Sequence, residues 1–388
     1  MHTISKLRPK FGSLPLLIAM AVFAALTMTV QASAQKIITI DAPGAGTAAG
    51  QGTQANGVNP EGVVTGFYLG ADLAFHGFRR TPDGKFTTLN APGAGAGYYQ
   101  GTGGWGITPA GEIAGDYVDV SCLEHGYILE PDGKFSTFEA PSAGTTPILQ
   151  CPYFGAQGTT PGDINARGEI AGIILDENNV YHGFVRPADG RFEVFDPPGA
   201  GSGPFQGTWV SFAAGLAENG TAAGWYIDST YIYHGYVRTS DGRIATFDGP
   251  GEGVQATLAE SCNSQGAAVG TYLDADNLWH GFLRTKEGKI TTIDVPFAAT
   301  GAYDGTQIDA MNDEGIIAGN YIDANGANHG FVLAPNGRIT KIEPPGAGPG
   351  AGQGTVPYSV GLTGAVTGYY YDANGVEHGF LWMPLIEK

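Results

Sequence analysis

Seven histidines of this chain stand in one dipeptide, His-Gly, at His76, His125, His182, His234, His280, His329 and His378, leaving only His2 outside the pattern. An imidazole can ligate a metal, relay a proton or hold a hydrogen bond. Six of the seven follow an Asp six residues upstream: Asp119, Asp176, Asp228, Asp274, Asp323 and Asp372. A group present in every copy of a repeat serves the copy, whereas a single site needs residues that break the repetition. One His per copy also scatters the ligands, and no pair has the close spacing of a zinc motif. The histidines are therefore expected to hydrogen-bond a turn carbonyl, an Asp or a Thr, and the aspartates to cap hairpins as Asx-turns. Asp274-Ala275-Asp276-Asn277 has some of the oxygen donors of a calcium loop but lacks the regular ligands and terminal Glu of an EF-hand. Neither a metal nor a cofactor is expected.

Positions that break the repetition say more. Three residues after a repeated Thr lies a column reading Asn56, Trp105, Gly162, Ala214, Glu260, Asp309 and Tyr358, where Ala214 belongs to a copy with three extra residues. In a closed ring Glu260, Asp309, Tyr358, Asn56 and Trp105 come from five consecutive copies, and the column is expected at the start of the innermost strand. Two carboxylates, a phenol, an amide and an indole near one axis have the composition of a polar ligand pocket, the alternative being solvated variation around a channel mouth. Asp304, which stands where other copies have Gln, falls in the same quarter. The connecting loops add Tyr98, Tyr99, Tyr153, Phe154, Phe205 and Trp209.

The elements that must position these groups follow from a period of about 49 residues. Besides His-Gly, two other columns have seven members each: the Thr at 53, 102, 159, 208, 257, 306 and 355, and a short strand opening at Lys36, Lys85, Lys134, Arg191, Arg243, Lys289 and Arg338. Each copy reads as four strands. The first follows Gln-Gly-Thr and ends before a turn such as Asn312-Asp313-Glu314-Gly315, and the second is typified by Ile316 to Tyr321. A hairpin using dipeptides such as Asn325-Gly326, which tolerate positive φ, leads to the third strand at His329, and Arg338 to Glu343 is the fourth. Four antiparallel strands per copy and seven copies predict an all-β, seven-bladed β-propeller of four-stranded blades, because a small sheet cannot cover both its faces alone but radial stacking covers each with a neighbour. The chain opens with a lone fourth strand, Lys36 to Asp41, and ends with a third, His378 to Met383, so N- and C-terminal strands are expected to complete one blade. A parallel β-helix would not need hairpin signals at both turns of every copy.

The pattern Ile-Asn-x-x-Gly-x-Ile-x-Gly followed by His-small-Phe resembles the bacterial extracellular repeat proteins of the HAF family, named for His-Ala-Phe, over essentially all of the chain after the first 34 residues. Here the middle residue is Gly in all seven copies, and the connectors carry Ala-Pro-Gly-Ala-Gly segments instead of the family's usual Leu-Gly segment. The resemblance implies an exported repeat protein and supplies no catalytic residue.

Residues 1–34 carry Lys6, Arg8 and Lys10, an apolar run from Leu14 to Val30, and Ala32-Ser33-Ala34, the layout of a secretory signal peptide. Residues 35–388 are then a single soluble domain, extracellular or periplasmic and monomeric, with no membrane insertion. A net charge of −18, of which the leader holds three cations and no acid, argues against nucleic acid and anionic lipid surfaces as partners. The expected function is a non-catalytic binding or interaction module for a glycan, a peptide or a cell-surface protein. The alternative is a polysaccharide hydrolase or lyase with Glu260 and Asp309 as acid and base. Of three cysteines, Cys122 lies in a hairpin and Cys151 in a connector eight residues longer than its relatives, and both loops fall on one face of a propeller. A disulfide between them is expected in an oxidising compartment. Cys262 shares a column with Ile107, Ile164 and Met311 and reads as a buried free thiol.

Overall fold

The computed structural model describes residues 36–147, 151, 156–212 and 214–384, and every regular element among them is a β-strand. Residues 1–34, where a signal peptide is expected, lie outside the described residues. One copy of the repeat runs Gly305–Met311, Ile317–Ile322, Asn328–Leu333 and Ile339–Ile342, each strand antiparallel to the one before. Six such meanders follow one another along the chain. The last combines Gly354–Val360, Val366–Tyr371 and Glu377–Met383 with the first strand, Lys36–Ile40, which pairs from Lys36↔Met383 to Ile40↔Gly379. Successive meanders touch through single parallel pairs such as Trp279↔Gly305 and Asn328↔Gly354, and Glu377↔Gly52 joins the last to the first. The outcome is one closed, propeller-like sheet of 28 strands.

The repeat dictates this arrangement through side chains that each meet the neighbouring copy. The aromatic of every His-Gly-aromatic triplet (Phe78, Tyr127, Phe184, Tyr236, Phe282, Phe331, Phe380) is at most 1% exposed, so seven large rings wedge the meanders together. Gly, not Ala, precedes them because the space is taken: a Cβ on Gly126 would come within 2.4 Å of the Phe138 ring, and one on Gly183 within 2.7 Å of Phe195. The Gly of Gln-Gly-Thr has the same necessity with a second cause. At Gly305, φ is +113° and a Cβ would sit 2.0 Å from the Trp279 carbonyl, at the crossing between two meanders.

Polar groups close the remaining gaps. Thr53, Thr102, Thr159, Thr257 and Thr306 are buried, and each Oγ1 accepts a backbone N–H of the incoming connector at 2.9–3.0 Å. The Asn of the Ile-Asn turn works in two directions: Asn312 Oδ1 accepts from Ile316 N in its own turn while Nδ2 donates to Gly361 O of the next meander. Arg186, Arg238 and Arg284 lie over Phe138, Phe195 and Phe247 of the preceding meander at 4.5–5.0 Å.

The histidines complete the outer half of each meander. His182 Nδ1 bonds Asp196 at 2.8 Å, His234 Nδ1 bonds Asp248 at 2.7 Å and His378 Nδ1 bonds Asp41 at 2.7 Å, in each case tying the third strand to the end of the fourth. On the other ring edge His280 Nε2 meets Asp274 at 3.1 Å, and the same aspartate caps its hairpin by accepting from Asp276 N and Leu278 N. Six of the imidazoles stack on a second-strand Tyr with centroids 4.8–5.0 Å apart. Their role here is the structural one read from the spacing. Cys122 and Cys151 are joined by a disulfide with Cα atoms 5.0 Å apart, and Cys262 is a buried free thiol near the Gly215 and Thr221 carbonyls.

Candidate ligand-binding cavity

The innermost strands share an irregularity that selects the site. In Gly52–Val58 the ladder pairs Ala55 with Gly66 and Gly57 with Thr65, so Asn56 has no partner across the sheet. Trp105, Gly162, Glu260, Asp309 and Tyr358 are passed over in the same way. These are β-bulges, which re-aim a side chain out of the alternation of the strand. The variable column thus occupies the bulge, past the middle of the strand and not at its start. Ala214 is corrected as a member. The strand Gly207–Val210 pairs Val210 with Gly224, the place of Ala55 opposite Gly66, and the chain returns to the ladder at Leu216↔Ala222, so Ser211 takes the bulge position and the extra residues follow it.

Four of the six residues selected from the sequence meet in one cavity of about 520 Å³: Trp105, Glu260, Asp309 and Tyr358. Inner strands of six of the seven meanders contribute to its wall, which places it on the axis of the ring. Asn56 and Asp304 are not brought there. Asn56 is fully buried and donates from Nδ2 to Gly104 O of the next inner strand at 2.8 Å, leaving Oδ1 unpaired. Asp304 lies in a connector, where its carboxylate accepts Gly301 N as Gln100 Oε1 accepts Gly97 N and Gln353 Oε1 accepts Gly350 N. It replaces Gln in a structural role.

The wall is both aromatic and acidic. Trp225 stacks on Trp209 at 5.8 Å, Trp209 lies 5.5 Å from Phe212, Phe212 lies 5.0 Å from Trp105, and Trp105 lies 6.4 Å from Tyr358. Phe212 reaches the axis because it belongs to the extra segment after Ser211 and rests where Gly162 has no side chain. Glu260, Asp309 and Glu377 line the same cavity, with Tyr369 and Tyr371 beside Glu377. Burial raises Glu260 to about 7 against the opposing hydrogen bond from the Ser211 hydroxyl at 2.9 Å, and it raises Glu377 to about 7. Asp309 is pushed well above the carboxylate range, first by burial and then by the charge of Glu260, and its Oδ2 is buried with no hydrogen-bond partner.

A smaller space of about 60 Å³ shares Trp105, Trp209 and Phe212 and is lined also by Asp116 and Glu124. Trp105 Nε1 donates to Asp116, and the Thr160 hydroxyl donates to Glu124. Burial raises Asp116 to about 6; burial and then the nearby Asp116 raise Glu124 to about 8. Rings also run outward to the connectors, from Trp209 through Tyr181 to Phe205 and from Trp105 through Phe67 and Phe75 to Tyr99. Tyr99, Phe205 and Tyr303 hold left-handed φ of 53–66°, which bulky residues adopt only at a cost, and Phe205 and Tyr303 are exposed. Tyr153 and Phe154 lie outside the described residues.

Reasoning from one column missed Ser211, Phe212, Trp225, Tyr369, Glu377, Asp116 and Glu124. Two more columns break the repetition: the residue before each His (Phe75, Glu124, Tyr181, Tyr233, Trp279, Asn328, Glu377) and the second-strand residue paired with the Gly after that His (Phe67, Asp116, Ile173, Trp225, Thr271, Asn320, Tyr369). Applying the same test to them finds most of the missing wall.

No protein-family model matches the chain, and no curated protein does. Among solved structures it is similar to a puromycin hydrolase, an S511A mutant complexed with PGG, at 17% identity over 84% of this chain and 50% of that one, TM-score 0.50. The chain spans about half the length of the puromycin hydrolase structures it matches. It is also similar to the BP39L lectin from Burkholderia pseudomallei at 11% identity, over 85% of this chain and 94% of the other, TM-score 0.50. At these identities the likeness is one of fold.

Proposed function

We propose that this chain is an exported, seven-bladed β-propeller of the HAF type that works as a non-catalytic binding module, taking a glycan, a peptide or a group on a partner protein into its axial cavity. One observation carries the reading: unrepeated residues from inner strands far apart in the chain converge on a single aromatic and acidic cavity of about 520 Å³, within the size range of small-ligand sites. The seven antiparallel four-strand meanders support the blade count. The disulfide between Cys122 and Cys151 fits an oxidising, extracytoplasmic compartment, and no helix among the described residues is long and apolar enough to cross a membrane. Lectin activity, the property named for the Burkholderia protein, fits a cavity walled by indoles and carboxyls.

The alternative, a polysaccharide hydrolase or lyase using Glu260 and Asp309, is the weaker reading. An acid and a base need environments that push their pKa values apart, whereas burial pushes both of these upward.

The cavity holds three of the chain's five tryptophans, Trp105, Trp209 and Trp225, so a bound ligand reports itself through their fluorescence. A glycan-array screen of the purified chain should yield binders that quench this emission, with Trp225→Phe and Phe212→Ala both weakening the response. Glu260→Gln with Asp309→Asn should leave no turnover to lose. Binders that quench equally in wild type and both aromatic variants would move the site elsewhere, and turnover abolished by the acid variants would establish the enzyme.

A further inference from the structure

The chemistry of the cavity wall narrows its ligand. Tryptophan, tyrosine and phenylalanine faces carry negative quadrupole potential, and a cation held against several of them is attracted most strongly where water is excluded. Here three indoles and Phe212 form one continuous run of rings, and Glu260, Asp309 and Glu377 line the same cavity. Among the described residues the wall contains no Lys, Arg or His to neutralise those carboxyls. Asp309 Oδ2 is buried and accepts no hydrogen bond, so an acceptor is held out of water with nothing yet to meet it. Glu260 and Asp309 stand close enough for the charge of one to act on the other. An anion would meet three acidic groups, and a neutral ligand would do nothing to offset the cost of ionising them in a buried place. A positive charge between the indoles and the acids answers each of these features.

We propose that the axial cavity is an organic-cation site, selecting ligands that present a quaternary ammonium or protonated amine head, which the tryptophans enclose while Glu260 and Asp309 balance its charge. This inference rests on the binding-module reading and names the ligand class for the same cavity. The head is the recognised feature, whether a free small molecule carries it or an amino-bearing glycan or peptide does.

The test uses the full folded chain and two probes of nearly equal shape, choline and its neutral carbon isostere 3,3-dimethylbutan-1-ol, titrated by calorimetry and tryptophan fluorescence. Choline should bind roughly tenfold or more tighter than the isostere. In the double variant Glu260→Gln, Asp309→Asn, choline should lose about that factor while the isostere is unchanged. Equal affinity for the two probes in the wild type overturns the inference without any variant having to fold. Choline affinity that survives in a double variant of native circular dichroism also overturns it. A neutral methyl glycoside that quenches the cavity tryptophans when choline does not would defeat the cation and keep the binding module. Silence from choline, isostere and glycosides alike would defeat both.

Discussion

In the outer half of each meander His280 is held between Asp294 and Asp274 and stacked on Tyr272, while on the axis Asp309 keeps a buried oxygen without a partner and Glu260 has one hydroxyl for company. Both regions are made of carboxylates and rings of the same repeated meanders. They differ in what the neighbouring copy supplies. The recurring histidines find a similar complement from copy to copy, so their hydrogen bonds are made inside the protein and they contribute to the scaffold, although the recurring Arg186, Arg238 and Arg284 each keep a buried Nε without a partner. A residue that appears once has no complement built for it, and the group left over points to a ligand. The contrast is the reason to look for function where the repetition fails.

The scaffold half of this contrast breaks most severely at the closure. Deleting residues 36–41 removes the strand that covers Glu377–Met383, including Ile40 at 1% exposure, and leaves an unpaired edge. The expected loss is on the order of 5 kcal/mol or outright loss of cooperative melting. A deletion variant that keeps the full Tm would rule out closure by the chain ends.

The disulfide stands between the two regions, since it tethers an unrepeated loop to a repeated hairpin. Closing a loop across a separation of 29 residues should contribute about 3 kcal/mol, seen as a drop in Tm for Cys151→Ser or under reductant. Thiol titration of the denatured, unreduced chain should find one reactive group, Cys262; three would mean the bridge does not form.

The sharpest comparison is the smallest in energy and sets one residue of each region against the other as pH changes. The bond to Asp196 raises the pKa of His182 above its ordinary value. A raised folded pKa means stability that is fully present below the unfolded value and lost as pH rises through the folded one. Glu260 follows the same sign, since burial raises it from 4.5 to about 7. The wild type should therefore lose stability from pH 5 to pH 8 on both accounts. Substitution separates them. His182→Ala should cost about 1–2 kcal/mol at pH 5 and less at pH 8, and it should leave ligand quenching unchanged. Glu260→Gln should match the wild type at pH 5 and exceed it by about 1 kcal/mol at pH 8, because an amide has no charge to desolvate. Urea melts at the two pH values read all four numbers; a Glu260→Gln variant less stable than wild type at pH 8 would contradict the burial cost assigned to this carboxylate.

Much of this molecule is written in one dimension. Turn dipeptides, alternation and a fixed period act locally, so the four strands of each copy are legible to within a residue or two, as in Ile339–Ile342 against an expected 338–343. The pairing of Lys36–Ile40 with Glu377–Met383 follows from counting strands at the ends. The Cys122–Cys151 bridge follows from which loops share a face, and the structural use of the histidines from their recurrence. The direction in which an unrepeated side chain points was decided only in three dimensions. Asn56 and Trp105 share a column and a bulge, yet Asn56 turns to the Gly104 carbonyl of the next strand while Trp105 faces the cavity. Asp304 resembles a site acid in sequence but inherits the connector bond of a glutamine. Ser211, not Ala214, holds the bulge because the ladder Val210↔Gly224 fixes the register before the extra residues begin, and Phe212 can fill the axis only because Gly162, from another meander, leaves room. Strand formation depends on neighbours in sequence, whereas the aim of a bulged residue depends on the free volume and hydrogen-bond partners that other meanders present, and no local pattern carries that information.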